Sequence, residues 1–221
     1  MSSKTEQQKK KKCKNIFKYF VYDFIKITGA ISVIVWLRLK TFYTSKKAKK
    51  KIKGAALIYA NHNSFKDPII LHNQLWYRRL YMVATKELFS SKLARWFFKQ
   101  VLCIEIDKEN VGVNSFKEII NTLNNKKLVA IFPEGHINEN KEKLDFFKSG
   151  IVLMAMQAKV PIVPIYIINR EKWWQRQKIV VGEPINLPEG KLNLVQINEF
   201  SALLRHKEME LIEFYNNRRK K

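Results

Sequence analysis

From about Gly54 onward the chain alternates short apolar runs with longer runs of helical periodicity, and this alternation constrains the fold most. Apolar runs over 55–60, 80–85, 102–106, 128–132, 160–168 and 178–181 have the length and make-up of strands. The segments 68–77, 91–100, 115–124, 147–158 and 195–217 have the length and spacing of helices. Strands and helices in turn predict an α/β domain built on a mixed, largely parallel sheet flanked by helices. With 221 residues, 46% of them hydrophobic, the chain can bury one substantial core and carry a short appendage. Pro161 and Pro164 each lack a ladder donor, which predicts a sheet edge or strand ends for 160–168. Only 7 glycines occur and none forms a phosphate loop or dinucleotide fingerprint, which argues against a nucleotide-dependent enzyme.

The N-terminus is organised differently. Lysines at 9–12 and Lys14 form a basic run, and an aromatic-rich segment follows. On a helical wheel Ile16, Phe17, Phe20, Val21, Phe24 and Ile27 gather on one side, while Lys18, Tyr22 and Lys26 lie away from it. That pattern suits a helix lying in a membrane interface. The charge-free run 27–37 is roughly half the ~20 residues needed to cross a bilayer. A signal peptide fits poorly, because no small-residue cleavage site follows the apolar run. Residues 1–13 therefore read as a basic flexible tail, 14–45 as a membrane-interface helical segment, and 46–221 as the α/β domain. A net charge of +23 calls for an anionic partner, either lipid headgroups or nucleic acid. Aromatics at helical spacing beside a long apolar run favour an anionic membrane surface, and no nucleic acid is expected. Cys13 and Cys103 stand in unlike surroundings and form no framework, which points to a reducing, cytoplasmic face.

Chemistry concentrates in two places. In Asn61-His62-Asn63-Ser64-Phe65-Lys66-Asp67-Pro68, a histidine follows a buried strand and a carboxylate stands five positions later. Histidine is the side chain suited to moving a proton near neutral pH, and a carboxylate on its ring fixes the tautomer and supports the imidazolium. The plainer alternative is that Asp67 caps the helix opened by Pro68 and His62 is a loop residue. In Phe132-Pro133-Glu134-Gly135-His136, a glutamate held between proline and glycine leaves the strand over 128–132. Both loops fall at strand carboxyl ends, where open α/β sheets place their ligands.

Taken in order, Asn61-His62 with Asp67, Phe132-Pro133-Glu134-Gly135 and Val160-Pro161-Ile162-Val163-Pro164 resemble the glycerolipid acyltransferases, and most nearly the 1-acylglycerol-3-phosphate acyltransferase family. Lys86-Glu87-Leu88-Phe89, Cys103-Ile104-Glu105-Ile106-Asp107-Lys108 and Gly182-Glu183-Pro184-Ile185 resemble further blocks of that family, over about residues 50–190. The resemblance implies transfer of a fatty acyl group from acyl-CoA or acyl-carrier protein to lysophosphatidate, giving phosphatidate in phospholipid synthesis. It implies His62 as general base and Asp67 as the group that orients it. It further implies that Phe132, Pro133, Glu134 and Gly135 hold the glycerol-phosphate end, with Lys86 and Lys108 adding charge. No metal and no cofactor are implied, since the thioester is itself a substrate. The implied place is the cytoplasmic face of a membrane, held in a monotopic or peripheral way.

The departures bear on the acceptor. His136-Ile137 stand where the family has threonine-arginine, and Lys108 replaces an arginine. The family's glycine before the apolar run of the second block corresponds to Leu102 or Cys103. Lysine cannot copy arginine's planar, bidentate grip on phosphate, and isoleucine makes none. An acyltransferase for another lysolipid acceptor thus stands as the alternative. From a different class stand a basic membrane- or nucleic-acid-binding protein without catalysis, and an inactive scaffold of the same fold.

Overall fold

The structure is a computed structural model that describes residues 19–107, 112–137, 150–170, 172, 174–188, 190 and 193–220. In chain order the helices are α1 (Phe20–Leu37), α2 (Asp67–Gln74), α3 (Lys92–Gln100), α4 (Val113–Asn124), α5 (Gly150–Ala158) and α6 (Leu194–Arg219). The strands are β1 (Lys40–Tyr43), β2 (Ala56–Ala60), β3 (Leu80–Thr85), β4 (Cys103–Ile106), β5 (Leu128–Ile131), β6 (Ile162–Ile168) and β7 (Lys178–Val181). A single 3₁₀ turn, Lys86–Phe89, follows β3. Among these residues the seven strands form one sheet in the order β1-β7-β6-β2-β5-β3-β4. Each neighbouring pair is parallel except β6 with β7, so the sheet is mixed and largely parallel, as the sequence predicts.

The period-two alternation of β2 divides the interior into two layers. Ala56, Ile58 and Ala60 pack with Ile70, Leu71 and Leu75 on and beside α2, and with Leu37 at the end of α1. Leu57 and Tyr59 pack on the other face with Ile119 and Leu123 of α4, Val152 and Ala155 of α5, and Ile197 and Leu204 of α6. Every residue of β2 is buried, as expected of a parallel strand covered on both sides. Polar side chains cap the starts of two helices. The Ser91 side chain accepts the Ala94 amide to begin α3, and Asn193 and Gln196 form a reciprocal capping box for α6.

Three expectations need correction. Residues 40–43, assigned to the membrane-interface segment, form β1 and pair in parallel with β7 from Lys40↔Lys178 to Tyr43↔Val181. The sheet therefore begins before residue 46, because a non-local partner completes a strand too short to stand out. The strand carrying Pro164 is not at an edge, since β6 lies between β2 and β7. Pro164 is tolerated because its carbonyl accepts the Gly182 amide just past the last β6–β7 pair, Ile165↔Val181. A residue's N–H and C=O share one side of a strand, so the missing donor faces that margin and the β2 ladder loses nothing. Asp67 is not the residue before its helix but the first residue within it, and its carboxylate turns back to the preceding loop. Residues 1–18 lie outside the described residues, and with them the basic tail and the start of the interface segment.

Candidate active site

β2 and β5 are parallel neighbours with Tyr59 level with Ile131, so the segments that follow them leave the same edge of the sheet side by side. Asn61 anchors the first. Its side-chain amide donates to the Ile167 carbonyl at 3.0 Å, and its oxygen accepts the Ile167 amide at 2.7 Å, continuing the β2–β6 ladder by one rung. His62 is thereby fixed one residue beyond a buried, fully bonded position.

Asp67 completes the loop from the other end. Its Oδ2 accepts the backbone amides of Asn63 and Ser64, each at 2.7 Å, and lies 3.1 Å from Nδ1 of His62. An oxygen already accepting two amides is held as an acceptor, so Nδ1 carries a proton and donates it. The other ring nitrogen, Nε2, is then the basic one. Asp67 is 2% exposed and the His62 side chain 16%, so their bond is shielded while the ring reaches the surface of a cavity. Phe132 stacks on the imidazole at 4.1 Å between centroids and 13° between planes, which fixes the ring from its face. The structure thus brings His62, Asp67 and Phe132 into one cluster.

The remaining predicted residues fall in different places. Phe132, Pro133 and Gly135 line the cavity, and Gly135 has φ +73°, a conformation that favours glycine. Glu134 is buried and lies outside the cavity wall, in electrostatic reach of Glu208 on α6. His136 and Ile137 do line the cavity, and His136 Nδ1 donates to the Glu134 carbonyl at 2.9 Å. Lys86 follows β3 at the same edge of the sheet. Its ammonium binds Asp107 at 2.7 Å and it forms no part of the cavity wall. Lys108 lies outside the described residues.

The cavity has a volume of about 1580 Å³, above the roughly 300–1,000 Å³ of an ordinary small-molecule pocket. Its wall is predominantly apolar, with Val33 and Ile34 from α1, Ile69 from α2, Met82 from β3, Val101 after α3 and Met154 from α5. Lys26 is the one Lys or Arg among the described lining residues, and its ammonium donates to the Arg78 carbonyl.

Reasoning from sequence missed how α1 closes this cavity. The Tyr22 hydroxyl accepts the Leu80 amide and donates to His72 Nδ1 at 3.1 Å, and Asp23 pairs with Arg79 at 2.6 and 3.0 Å. Burial, with a smaller push from Lys26, lowers His72 to a pKa of about 4, so its ring is neutral. The Arg79 guanidinium holds the Asp23 carboxyl below its ordinary range. The available signal was that Tyr22 and Lys26 stand off the apolar side of the wheel. They face the domain, while Phe20, Phe24 and Ile27 are exposed. No helix among the described residues is long and apolar enough to cross a membrane.

Comparison with known proteins gives a family match and a shared fold. The acyltransferase family model matches residues 40–168, more than half of the chain and the stretch from β1 through β6. The chain is 29% identical over 165 residues to a 1-acyl-sn-glycerol-3-phosphate acyltransferase of Bacillus subtilis, covering 72% of this chain and 80% of the relative. It is 27% identical over 145 residues to the enzyme of the same name from Streptococcus pneumoniae, covering 61% of this chain and 52% of that one. The crystal structure of the 1-acyl-sn-glycerophosphate acyltransferase of Thermotoga maritima shares the fold. It aligns with a TM-score of 0.63 at 18% identity, over 91% of this chain and 83% of that one.

Proposed function

The chain belongs to the acyltransferase family, and from that premise we propose that it acylates the hydroxyl of lysophosphatidate with an acyl thioester, giving phosphatidate. The observation that carries this reading is the His62–Asp67 pair, 3.1 Å apart, opening onto a large apolar cavity beside Phe132. Nε2 of His62 takes the acceptor's hydroxyl proton while Asp67 supports the imidazolium. The freed oxygen attacks the thioester carbonyl, and the tetrahedral intermediate collapses by expelling the thiolate, which takes up the proton. The ester C–O bond replaces the C–S bond, and no redox partner is required. Acyl-CoA or acyl-carrier protein supplies the thioester, and the apolar cavity receives the chains. Lipid substrates and the exposed apolar side of α1 support attachment to a membrane surface.

The test is product formation by the purified chain from acyl-CoA and lysophosphatidate in detergent micelles, read by mass. His62→Ala lowers turnover roughly 10²- to 10⁴-fold without unfolding the protein. Turnover unchanged by this substitution removes His62 from the chemistry. A second reading, a lysolipid acceptor with a larger head group, is favoured by two observations. Ile137 lines the cavity where the resemblance calls for an arginine, and Lys86 is engaged by Asp107. A panel of lysolipids separates the two, since preference for an acceptor without a phosphomonoester selects the second.

A further inference from the structure

The proposed chemistry makes no use of the outer face of α3. This nine-residue helix has no buried residue, and Leu93, Trp96 and Phe97 are 75%, 54% and 43% exposed. Their i, i+3, i+4 spacing puts them on one stripe. Lys92, Arg95 and Lys99 share the neighbouring sector of the same helix. Isolated exposed apolar residues are ordinary, but a contiguous stripe edged by cations on one short helix marks a contact surface. The stripe also meets the cavity. Phe97, and Leu88 just before α3, line its wall while exposed, as do Ile27 and Ile34 of α1. Exposed apolar side chains of two separate elements therefore edge one opening.

We infer that α3 is a second lipid-docking element, seating Leu93 and Trp96 at the headgroup–acyl boundary of an anionic leaflet. The inference rests on the proposed lipid substrates, which must pass between leaflet and cavity. Charge complementarity selects the leaflet, since Lys92, Arg95 and Lys99 stand beside the stripe in a chain of net charge +23. Arg95 has an acidic neighbour in Glu105 at 4.0 Å, and that contact is exposed and screened. Continuity of the stripe with the cavity edge selects it a second time. An acidic carrier protein would answer the cations but gives no role to an apolar rim shared with α1.

The experiment uses the full chain and vesicles of phosphatidylcholine with or without phosphatidylglycerol. Leu93→Gln with Trp96→Gln lowers partition onto the mixed vesicles roughly tenfold. Lys92→Glu with Lys99→Glu lowers it only where phosphatidylglycerol is present. Vesicles with brominated acyl chains quench wild-type fluorescence more than that of Trp96→Phe, because Trp96 reaches the acyl boundary. Leu93 and Trp96 do not line the cavity, so their substitution leaves turnover in detergent micelles within about twofold. Partition unchanged in both double variants, or equal quenching with and without Trp96, overturns the inference. So does loss of turnover confined to a carrier-protein donor with vesicle binding intact, which would make α3 a carrier-docking surface. The two readings fail separately. Wild type that makes no phosphatidate in micelles sinks the proposed reaction, whereas the vesicle data judge α3 alone.

Discussion

Asp67 performs three tasks with one oxygen, accepting the amides of Asn63 and Ser64 and the ring N–H of His62. Orientation and charge can therefore be separated by a single substitution. In Asp67→Asn the amide oxygen can take the place of Oδ2 and keep all three bonds, so the loop and the tautomer persist while the negative charge is lost. The expected outcome is a kcat reduced about 10²-fold or more with KM little changed, because the charge matters most when the imidazolium forms. Asp67→Ala also leaves two loop amides without their acceptor, and so lowers thermal stability as well as rate. Equal kcat values for wild type and Asp67→Asn, measured under saturating substrates, would reduce Asp67 to an orienting residue. The stacked Phe132 supports the same ring from its face, so the imidazole is fixed along two directions.

Gly182 shows how one turn holds two elements together. A Cβ built there would lie 2.6 Å from Cγ of Pro164 in β6 and 3.0 Å from a methyl of Leu211 in α6. Because the proline ring cannot move aside as a flexible chain would, Gly182→Ala destabilises the protein by about 1–3 kcal/mol, measured as a fall in denaturant midpoint. The Gly182-Glu183-Pro184-Ile185 block was legible in the sequence, but its reason was not, since it depends on a partner eighteen residues away. The same limit runs through the other elements. β2 and β5 stood out because strands buried on both faces read as unbroken apolar runs. β1 did not, because Lys40–Tyr43 owes its strand to pairing with β7. The sequence left Leu102 and Cys103 open as the position of a family glycine. Leu102 has φ +63°, the left-handed conformation glycine favours, and it tightens the turn from α3 into β4. His62 and Asp67 were recognisable because their contact is local. The contacts of α1 through Tyr22, Asp23 and Lys26 span fifty residues or more and had no local signature.

At the scale of the whole molecule, two buried ionisable groups set opposite pH dependences. Glu208 is fully buried on α6, and among the described residues neither carboxyl oxygen has a hydrogen-bond partner. Burial above all, with repulsion from Glu134 and partial relief from Arg205, pushes it up to about 8. A carboxyl raised in the folded state binds its proton there while the unfolded chain has released it, so stability is lost as pH rises towards 8. His72, lowered to about 4, acts in reverse: the unfolded chain gains a proton below its ordinary value of 6.5 and the native one does not. Its contribution is complete above 6.5 and is lost as pH falls towards 4. Between about 6.5 and 8 the Glu208 effect is therefore unopposed by His72. The melting temperature of the wild type should decline across that window, while Glu208→Gln, carrying no charge to bury, should decline less and melt higher at pH 8. Parallel melting curves for the two proteins across pH 6.5–8 would mean that the Glu208 carboxyl is not raised in the native state. The contrast also reaches the site, because Glu134, whose repulsion helps raise Glu208, sits between the cavity-lining Pro133 and Gly135. Ionising Glu208 at high pH therefore loads the loop whose Phe132 stacks on His62, and Glu208→Gln should also retain a larger share of its turnover as pH rises to 8.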